Sequence, residues 1–526
     1  MKTSFSLIFL CSACSALLVF AGMPGSWSFP PLLFVGLVPL IHAFATAENG
    51  RQAAWAGGVF GLIYHLLILY WIVVVLGKYG GLPLWVSIPA LTGLAGYMTL
   101  YCILFSVTGY FITRKYRPGR WIFLLPALWV AGDWLRSVLL TGFPWLDLGY
   151  GLWENVFLIQ SAELFGHHGI SFLLVMSNVL IALFLARKFS NILQAAWLII
   201  ILLMPVYSFF SLALDKKELA EAEIIETGIV QGNILQNEKW QDGQLTAAVK
   251  KYLALSRGID GSQQLDLLVW PETAIPFYPN ITGEFRLVSR FLRENQGSLL
   301  TGAPWFEVED EENRIINYYN SALLLDPASR LIGKYYKSHL VPYGEYVPLK
   351  KYTPFLAPLV ESVGDFTPGI IEKPLALGKA RIGILICYES IFPEIARKWS
   401  QNGANLLVNL TNDAWYGKSS APYQSFAMSV FRAVENGRSL IRSANTGISG
   451  FIEPNGRVCK ASPIFASWAE SGKVVLQEGR TIYTLWGFYF APACLIFVCF
   501  AVVFAVIFNF LPLAVKRKII NWAARP

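Results

Sequence analysis

The sequence predicts two kinds of structure in one chain: a membrane-spanning α-helical bundle and an exported α/β domain. Of its 526 residues, 55% are hydrophobic and only 14% are charged, whereas soluble proteins average about 25% charged residues. The charges are also uneven, with 15 in residues 1–214 and 57 in residues 215–483. This composition excludes a disordered chain and a small disulfide-rich fold. We therefore expect a seven-span domain over 1–214, a soluble domain over 215–483, and a last span with a tail over 484–526.

Eight apolar segments account for the membrane part, and several exceed the roughly 20 residues that cross a bilayer as a helix. We place the spans at 4–21, 27–45, 53–76, 83–113, 121–140, 168–186, 191–214 and 484–513. The first two are short and interrupted by Pro24, Pro30 and Pro31. The first segment also fits a secretory signal peptide, but the six spans that follow it favour a retained helix.

The orientation of the spans follows from the basic residues of the short loops. Twelve basic residues fall on one side of the membrane, and the opposite short loops contain only Lys78. The twelve are Lys2, Arg51, Arg114, Lys115, Arg117, Arg120, Arg187, Lys188, Lys516, Arg517, Lys518 and Arg525. Because basic short loops stay in the cytoplasm, seven spans place residues 215–483 outside. The basic excess thus belongs to the membrane parts, and we exclude a nucleic-acid partner, which would need it on the soluble domain.

The soluble block alternates between strand-like and helix-like runs. The strand-like runs are 265–270, 298–301, 321–325, 381–386 and 405–410, and the helical patterns cover about 242–257, 283–295, 390–402 and 422–437. Continuous apolar strands between helices predict an α/β layered domain whose sheet faces are both covered.

Three residues of the soluble block suggest chemistry together, although each alone fits a structural role. Glu272 and Cys387 each follow a predicted strand, and Lys337 lies between them in the chain. A thiol on a strand-to-helix turn sits near a helix N-terminus, so we expect a lowered pKa for Cys387. A carboxylate can then act as a general base and a lysine can stabilise a developing oxyanion. Cys459 is the only other exported cysteine, and an oxidising compartment would permit a bridge between the two.

Other catalytic patterns are missing from the sequence. There is no G-x-S-x-G nucleophile elbow and no H-E-x-x-H zinc helix. His339 is the only histidine of residues 215–483, and a metal site would need more ligands. We therefore expect no metal.

On these residues, the block 215–483 resembles the nitrilase, or carbon–nitrogen hydrolase, superfamily, whose Glu–Lys–Cys triad matches Glu272, Lys337 and Cys387 in order and context. The whole chain resembles the bacterial apolipoprotein N-acyltransferases. Further stretches that carry this resemblance are 142–145 (GFPW), 230–234 (VQGNI), 340–348 (LVPYGEYVP) and 411–415 (TNDAW).

The resemblance implies a four-layer α-β-β-α domain and a two-step acyl transfer without a cofactor. Cys387 would take an acyl chain from a membrane phospholipid as a thioester, and the N-terminal amine of a diacylglyceryl-cysteine apolipoprotein would accept it. Glu272 would be the base and Lys337 the charge stabiliser. The supporting residues implied by the family are Trp240, Glu345, Tyr388 and Glu389. From its position after Cys387, we expect the Tyr388 N–H to be an oxyanion donor. The protein would be a multi-pass protein of the bacterial inner membrane whose catalytic domain faces the periplasm.

Two other functions fit parts of the sequence. The same triad would serve a membrane-anchored amidase that uses water, although seven preceding spans exceed what an anchor requires. A transporter or sensor with an inactive domain would usually carry more charges in its spans than Asp133 and Arg136. The apolar loop 354–360 fits either a lipid-facing lid or a loop packed on its own domain.

Overall fold

The structure is a computed structural model that describes residues 4–188, 205–214, 216–217, 219, 221–235, 244–259, 264–310, 312, 315–346 and 365–510. Its N-terminal part is helical. The longer helices are α1 (Phe5–Gly22), α2 (Val38–Thr46), α3 (Gly50–Ile68), α4 (Leu84–Lys115), α5 (Pro118–Val138), α6 (Ala162–Leu185) and α7 (Pro205–Leu214).

Several of these helices are long and apolar enough to cross a membrane, which confirms a multi-pass membrane protein. Among the described residues, α1, α4, α6 and the C-terminal stretch Gly487–Phe508 qualify. The helix α3 and the following Trp71–Tyr79 would form a fifth span, bent by 46°. The described part of the chain therefore supports four or five spans.

The remaining predicted spans differ for identifiable reasons. The segment 27–45 forms a short 3₁₀ turn at Pro30–Phe34 and then the nine-residue α2, because consecutive prolines lack the N–H groups that a continuous helix needs. The predicted span 121–140 corresponds to α5, which is less apolar than the four qualifying helices because it carries the buried charged side chains Asp133 and Arg136. Most of the segment 191–214 lies outside the described residues.

The soluble domain contains two six-stranded sheets. The strands are β1 (Glu223–Gln231), β2 (Leu267–Val269), β3 (Ser298–Asp310), β4 (Ile315–Leu325), β5 (Leu331–Tyr336), β6 (Leu375–Leu377), β7 (Ala380–Ile386), β8 (Leu406–Thr411), β9 (Ser439–Ala444), β10 (Gly450–Ile452), β11 (Val458–Ala461) and β12 (Trp468–Leu476). The first sheet has the order β12-β1-β2-β3-β4-β5 and the second β11-β10-β9-β8-β7-β6. Each has three parallel strands, β1-β2-β3 and β7-β8-β9, flanked by antiparallel strands.

The helices α8 (Gln244–Arg257), α9 (Phe285–Asn295), α10 (Pro393–Gln401) and α11 (Ala421–Asn436) lie on the two sheets, and α12 (Phe490–Phe510) follows the domain. The residues of β2 show the layering. Leu268 packs with the apolar sides of α8 and α9, whereas Leu267 and Val269 pack with the second sheet. Because successive side chains of a strand point to opposite faces, the first sheet lies between a helical layer and the second sheet.

This arrangement confirms the predicted α/β domain. The five predicted strands correspond to β2, β3, β4, β7 and β8, and the four predicted helices to α8–α11. The layers follow the order helix, sheet, sheet, helix, since α10 and α11 pack on the outer face of the second sheet.

Candidate active site

The three predicted catalytic residues meet where the two sheets face each other. Glu272 lies just beyond the end of β2, Lys337 follows β5 directly, and Cys387 follows β7 directly. The first two come from one sheet and the thiol from the other. The Lys337 Nζ lies 3.9 Å from Glu272 Oε1, and both charges act on the thiol of Cys387. The sequence prediction therefore selected residues that the fold brings together.

Lys337 is the centre of a buried ion-pair network, not a surface lysine. Only 1% of its surface is exposed. Its Nζ donates to Glu345, with distances of 2.9 Å to Oε1 and 2.8 Å to Oε2. Burial disfavours the charged ammonium, but the carboxylates of Glu345 and Glu272 outweigh it and raise the pKa of Lys337 above its usual value. The two carboxylates therefore favour the charged form of Lys337.

The two glutamates of the network differ in what they contact. Glu345 accepts hydrogen bonds from Lys337, from the Val341 N–H at 2.8 Å and from the Asn320 side chain at 2.8 Å. Among the described residues, Glu272 accepts one hydrogen bond, from Asn320 Nδ2 at 2.8 Å. Glu345 is thus fully occupied as a counterion, whereas Glu272 keeps acceptor capacity.

Asn320 is the site residue that sequence reasoning missed. It lies on β4, it is buried, and its amide contacts both carboxylates of the network. A usable signal was present, because asparagine is depleted in strands and this one precedes a run of apolar strand residues.

Cys387 occupies a sharp turn at the end of its strand. Its φ of 52° is in the left-handed region that non-glycine residues rarely adopt, and it begins a five-residue 3₁₀ helix, Cys387–Ile391. Burial and the Glu272 carboxylate raise the pKa of the Cys387 thiol to about 12, although Lys337 and Thr411 oppose them. The expectation of a lowered pKa is therefore wrong, because one short helical turn offers too little stabilisation to outweigh burial and a neighbouring anion.

Glu389 joins the two halves of the site. One carboxylate oxygen accepts from the Ser338 N–H and hydroxyl, each at 2.7 Å, and from the Tyr335 hydroxyl at 2.7 Å. The other accepts from the Ile386 N–H at 2.7 Å. The same side chain therefore fixes the residue after Lys337 and the residue before Cys387.

The other predicted supporting residues are placed as follows. Tyr388 is buried, and its ring packs against Phe392 with a centroid separation of 5.1 Å. Trp240 lies outside the described residues, and so does the loop 354–360. Cys387 and Cys459 are both free thiols, so the bridge that the sequence permitted does not form.

The site borders the apolar helices. Burial raises the pKa of Tyr416, and the neighbouring Cys387 contributes to the same shift. The ring centroid of Tyr416 lies 5.1 Å from that of Trp71 and 5.9 Å from that of Trp145, both in the N-terminal helical region. Trp145 Nε1 also donates to Gln424 of α11 at 2.7 Å. An aromatic cluster thus connects the nucleophile to the membrane part.

One group of described side chains has the composition of a metal site. Ligand atoms of Asp147, His167 and His168 lie within 4.8 Å of one another. However, Asp147 is already paired with Arg136, and His167 Nδ1 lies 2.9 Å from Glu435 Oε1 of α11. Buried carboxylates that are compensated in this way need no ion. We therefore assign the group to charge pairing between the helical region and the catalytic domain.

Comparison with known proteins identifies both parts of the chain. Residues 14–180 match the family model of the apolipoprotein N-acyltransferase N-terminal domain, and residues 226–472 match that of carbon–nitrogen hydrolases. The apolipoprotein N-acyltransferase of Geobacter metallireducens is 40% identical over 90% of this chain and 92% of its own length. The apolipoprotein N-acyltransferase of Methylococcus capsulatus is 32% identical over 92% of this chain and 94% of its own length. A carbon–nitrogen hydrolase of Helicobacter pylori aligns with 50% of this chain and 94% of its own, at 17% identity and a TM-score of 0.35.

Proposed function

The chain belongs to the apolipoprotein N-acyltransferases of the carbon–nitrogen hydrolase superfamily, and from this membership we propose how its own residues perform the acyl transfer. Cys387 is the nucleophile, Glu272 the general base and Lys337 the group that stabilises the oxyanion. Glu345, which is saturated with hydrogen bonds, holds Lys337 in place. The observation that carries this proposal is the buried pairing of one lysine with two glutamates of unequal occupancy beside a strained cysteine.

The first step forms a thioester from a membrane phospholipid. Because the Cys387 thiol is protonated at rest, its proton moves to Glu272 as the sulfur attacks the ester carbonyl. Lys337 and the Tyr388 N–H, which lies in the first turn of the 3₁₀ helix and so lacks a partner within it, stabilise the oxyanion. When the C–O bond breaks, Glu272 returns the proton to the leaving lysophospholipid alkoxide.

The second step moves the acyl chain to the acceptor. The N-terminal amine of a diacylglyceryl-cysteine apolipoprotein attacks the thioester carbonyl, and the same oxyanion donors act again. Glu272 takes a proton from the attacking nitrogen, the C–S bond breaks, and the proton passes to the sulfur. The product is an amide, and the enzyme recovers its neutral thiol.

The position of the site supports lipid substrates. The aromatic cluster of Tyr416, Trp71 and Trp145 adjoins both the nucleophile and the helical region. Each methylene that stays out of water is worth about 0.8 kcal/mol, so an acyl chain of ordinary length gains greatly from a site that it reaches without leaving an apolar environment. A water-soluble amide would draw no benefit from this placement.

We further propose eight spans, with residues 1–214 as the seven-span domain, 215–483 as the catalytic domain, and 484–526 as the last span and a cytoplasmic tail. The twelve basic loop residues on one side, against one on the other, support a catalytic domain in the periplasm of the bacterial inner membrane.

The experiment is to trap the acyl-enzyme. Membranes that contain the full chain are incubated with phospholipid labelled in its acyl chain, and the labelled peptide is identified by mass spectrometry. We expect label on Cys387, its release by an apolipoprotein peptide, and no label in Cys387→Ser. Cys459→Ser is the matched control, since it removes the other exported thiol. Label elsewhere, or normal turnover of Cys387→Ser, would refute the mechanism. Release of free fatty acid in place of acylated peptide would identify a hydrolase that uses water as the acyl acceptor.

A further inference from the structure

Asn320 holds a position that the proposed roles of Glu272, Lys337 and Cys387 do not explain. Its side-chain nitrogen donates one hydrogen to Glu272 Oε1 and the other to Glu345 Oε1, both at 2.8 Å. Its backbone carbonyl accepts the N–H of Lys337 at 2.9 Å. One residue of β4 therefore contacts three of the four charged or reactive members of the site.

The hydrogen bond to Glu272 has no substitute. Among the described residues it is the only hydrogen bond that the Glu272 carboxylate accepts, and the nearest cation, Lys337, is 3.9 Å away and committed to Glu345. A carboxylate next to an ammonium would otherwise rotate into contact with it. Asn320 keeps the base separate from the lysine.

The chemistry also requires an amide at this position. Two carboxylates that face each other need a neutral group that donates two hydrogens from one atom, and an asparagine Nδ2 does so. An aspartate of the same shape would present a third carboxylate and no donor at neutral pH. An alanine would remove the hydrogen bond that the buried Glu272 carboxylate accepts from Asn320, which is costly, whereas Glu345 Oε1 would keep Lys337 as a partner.

We propose that Asn320 is a positioning residue that fixes the general base of the acyl transfer and divides the two glutamates into a base and a counterion. This inference rests on the proposed roles of Glu272 and Lys337. It predicts that loss of the amide slows both half-reactions, because Glu272 serves in both. Because a hydrogen bond to a charged group is stronger than one between neutral groups, we expect about a 10- to 100-fold loss in each rate.

The test compares full-length Asn320→Ala and Asn320→Asp with the parent in detergent. The rates of thioester formation and of its discharge to an apolipoprotein peptide are measured across pH, together with the melting temperature. We expect both rates to fall, the KM for the peptide to stay nearly constant, and the acidic limb of the pH–rate profile to move to higher pH. Asn320→Asp keeps the side-chain volume, so it reports on the lost donors even if the alanine variant folds poorly.

Asn317→Ala is the matched control, because Asn317 lies on the same strand and donates to Glu309 at 2.9 Å outside the site. It should retain parental rates and the parental pH profile. Parental rates in Asn320→Ala would overturn the inference, and so would reduced rates with an unchanged pH profile and a lowered melting temperature, which would indicate a structural role only. A parent that never acylates Cys387 would instead overturn the proposed function on which the inference rests.

Discussion

Replacing the base should make the nucleophile more reactive toward a simple reagent while it abolishes catalysis. The Glu272 carboxylate is one of the two main causes that raise the pKa of Cys387, and Lys337 is the main charge that opposes them. Glu272→Gln removes the anion and should lower the pKa of the thiol. Lys337→Ala removes the cation and should raise it further. Alkylation by iodoacetamide should therefore change in opposite directions in two variants that both lose acyl transfer.

The size of the effect follows from the thiolate fraction and its nucleophilicity. With a pKa of about 12, about one thiol in 10⁴ is ionised at pH 8. Loss of a charge within about 4–6 Å typically shifts a pKa by about 1–3. Because a less basic thiolate is also less nucleophilic, with a Brønsted coefficient of about 0.4–0.5, the alkylation rate rises by only about threefold for each pKa unit. We expect alkylation of Cys387 to be about 3- to 30-fold faster in Glu272→Gln.

The assay follows the alkylated Cys387 peptide by mass spectrometry between pH 7 and 9, where the parental rate should rise about tenfold for each pH unit. Cys459 provides an internal control, because burial and a hydrogen bond to Glu453 raise its pKa to about 12 without a contribution from Glu272. Its alkylation should be the same in all variants. If Cys387 in the Glu272→Gln variant is alkylated at the parental rate or more slowly, Glu272 does not act on the thiol. Its assignment as the base would then be wrong.

Three further predictions follow from the site and the topology. Lys337→Ala should slow thioester formation by about 100- to 1,000-fold, the value of one oxyanion donor, whereas Lys334→Ala, on an exposed ion pair of the preceding strand, should not; equal rates in a thioester-trapping assay would contradict the role. Gly302→Ala would place a Cβ 2.6 Å from the Cα of Glu272, so the turnover of this variant should fall at least tenfold. Gly283 has open space around it, and Gly283→Ala should keep the parental turnover in the same assay. A reporter that is active only in the periplasm should be active when it is fused after residue 483. If the fused reporter is inactive, the periplasmic placement of residues 215–483 is wrong.

The sequence predicted that Glu272 and Cys387 follow buried strands, because the ends of such strands can be recognised from the sequence. The buried strands before Glu272 and Cys387 are continuous apolar runs, but they lie in different sheets, so the pattern of the strands does not show that the two residues meet. The outer strands escaped prediction. The strand β12, WAESGKVVL, is mixed in character, and β11 is mostly exposed, so neither shows the apolar pattern of a buried strand.

The electrostatics of the site could not be predicted from sequence. The spacing placed Cys387 at the start of a helix. It did not show that this helix is a short 3₁₀ helix or that the thiol lies beside the Glu272 carboxylate. The roles of Glu345 and Glu389 depend on hydrogen bonds between residues up to 54 positions apart in the chain. Asn320 contacts Glu272 across 48 positions, and only the folded sheet shows that pairing.

The raised pKa of Cys387 bears on the lifetime of the proposed acyl-enzyme. The surroundings that disfavour a thiolate consist of buried protein and a carboxylate, and they favour the neutral thioester over the charged leaving group that its breakdown would release. A thiol of high pKa is also a slow leaving group, which slows breakdown of the acyl-enzyme by water and by an amine alike. An amine is a far better nucleophile than water, and Glu272 is placed to remove its proton during attack. On the proposed mechanism, one environment therefore keeps the resting thiol neutral, preserves the intermediate, and leaves its discharge to the substrate amine.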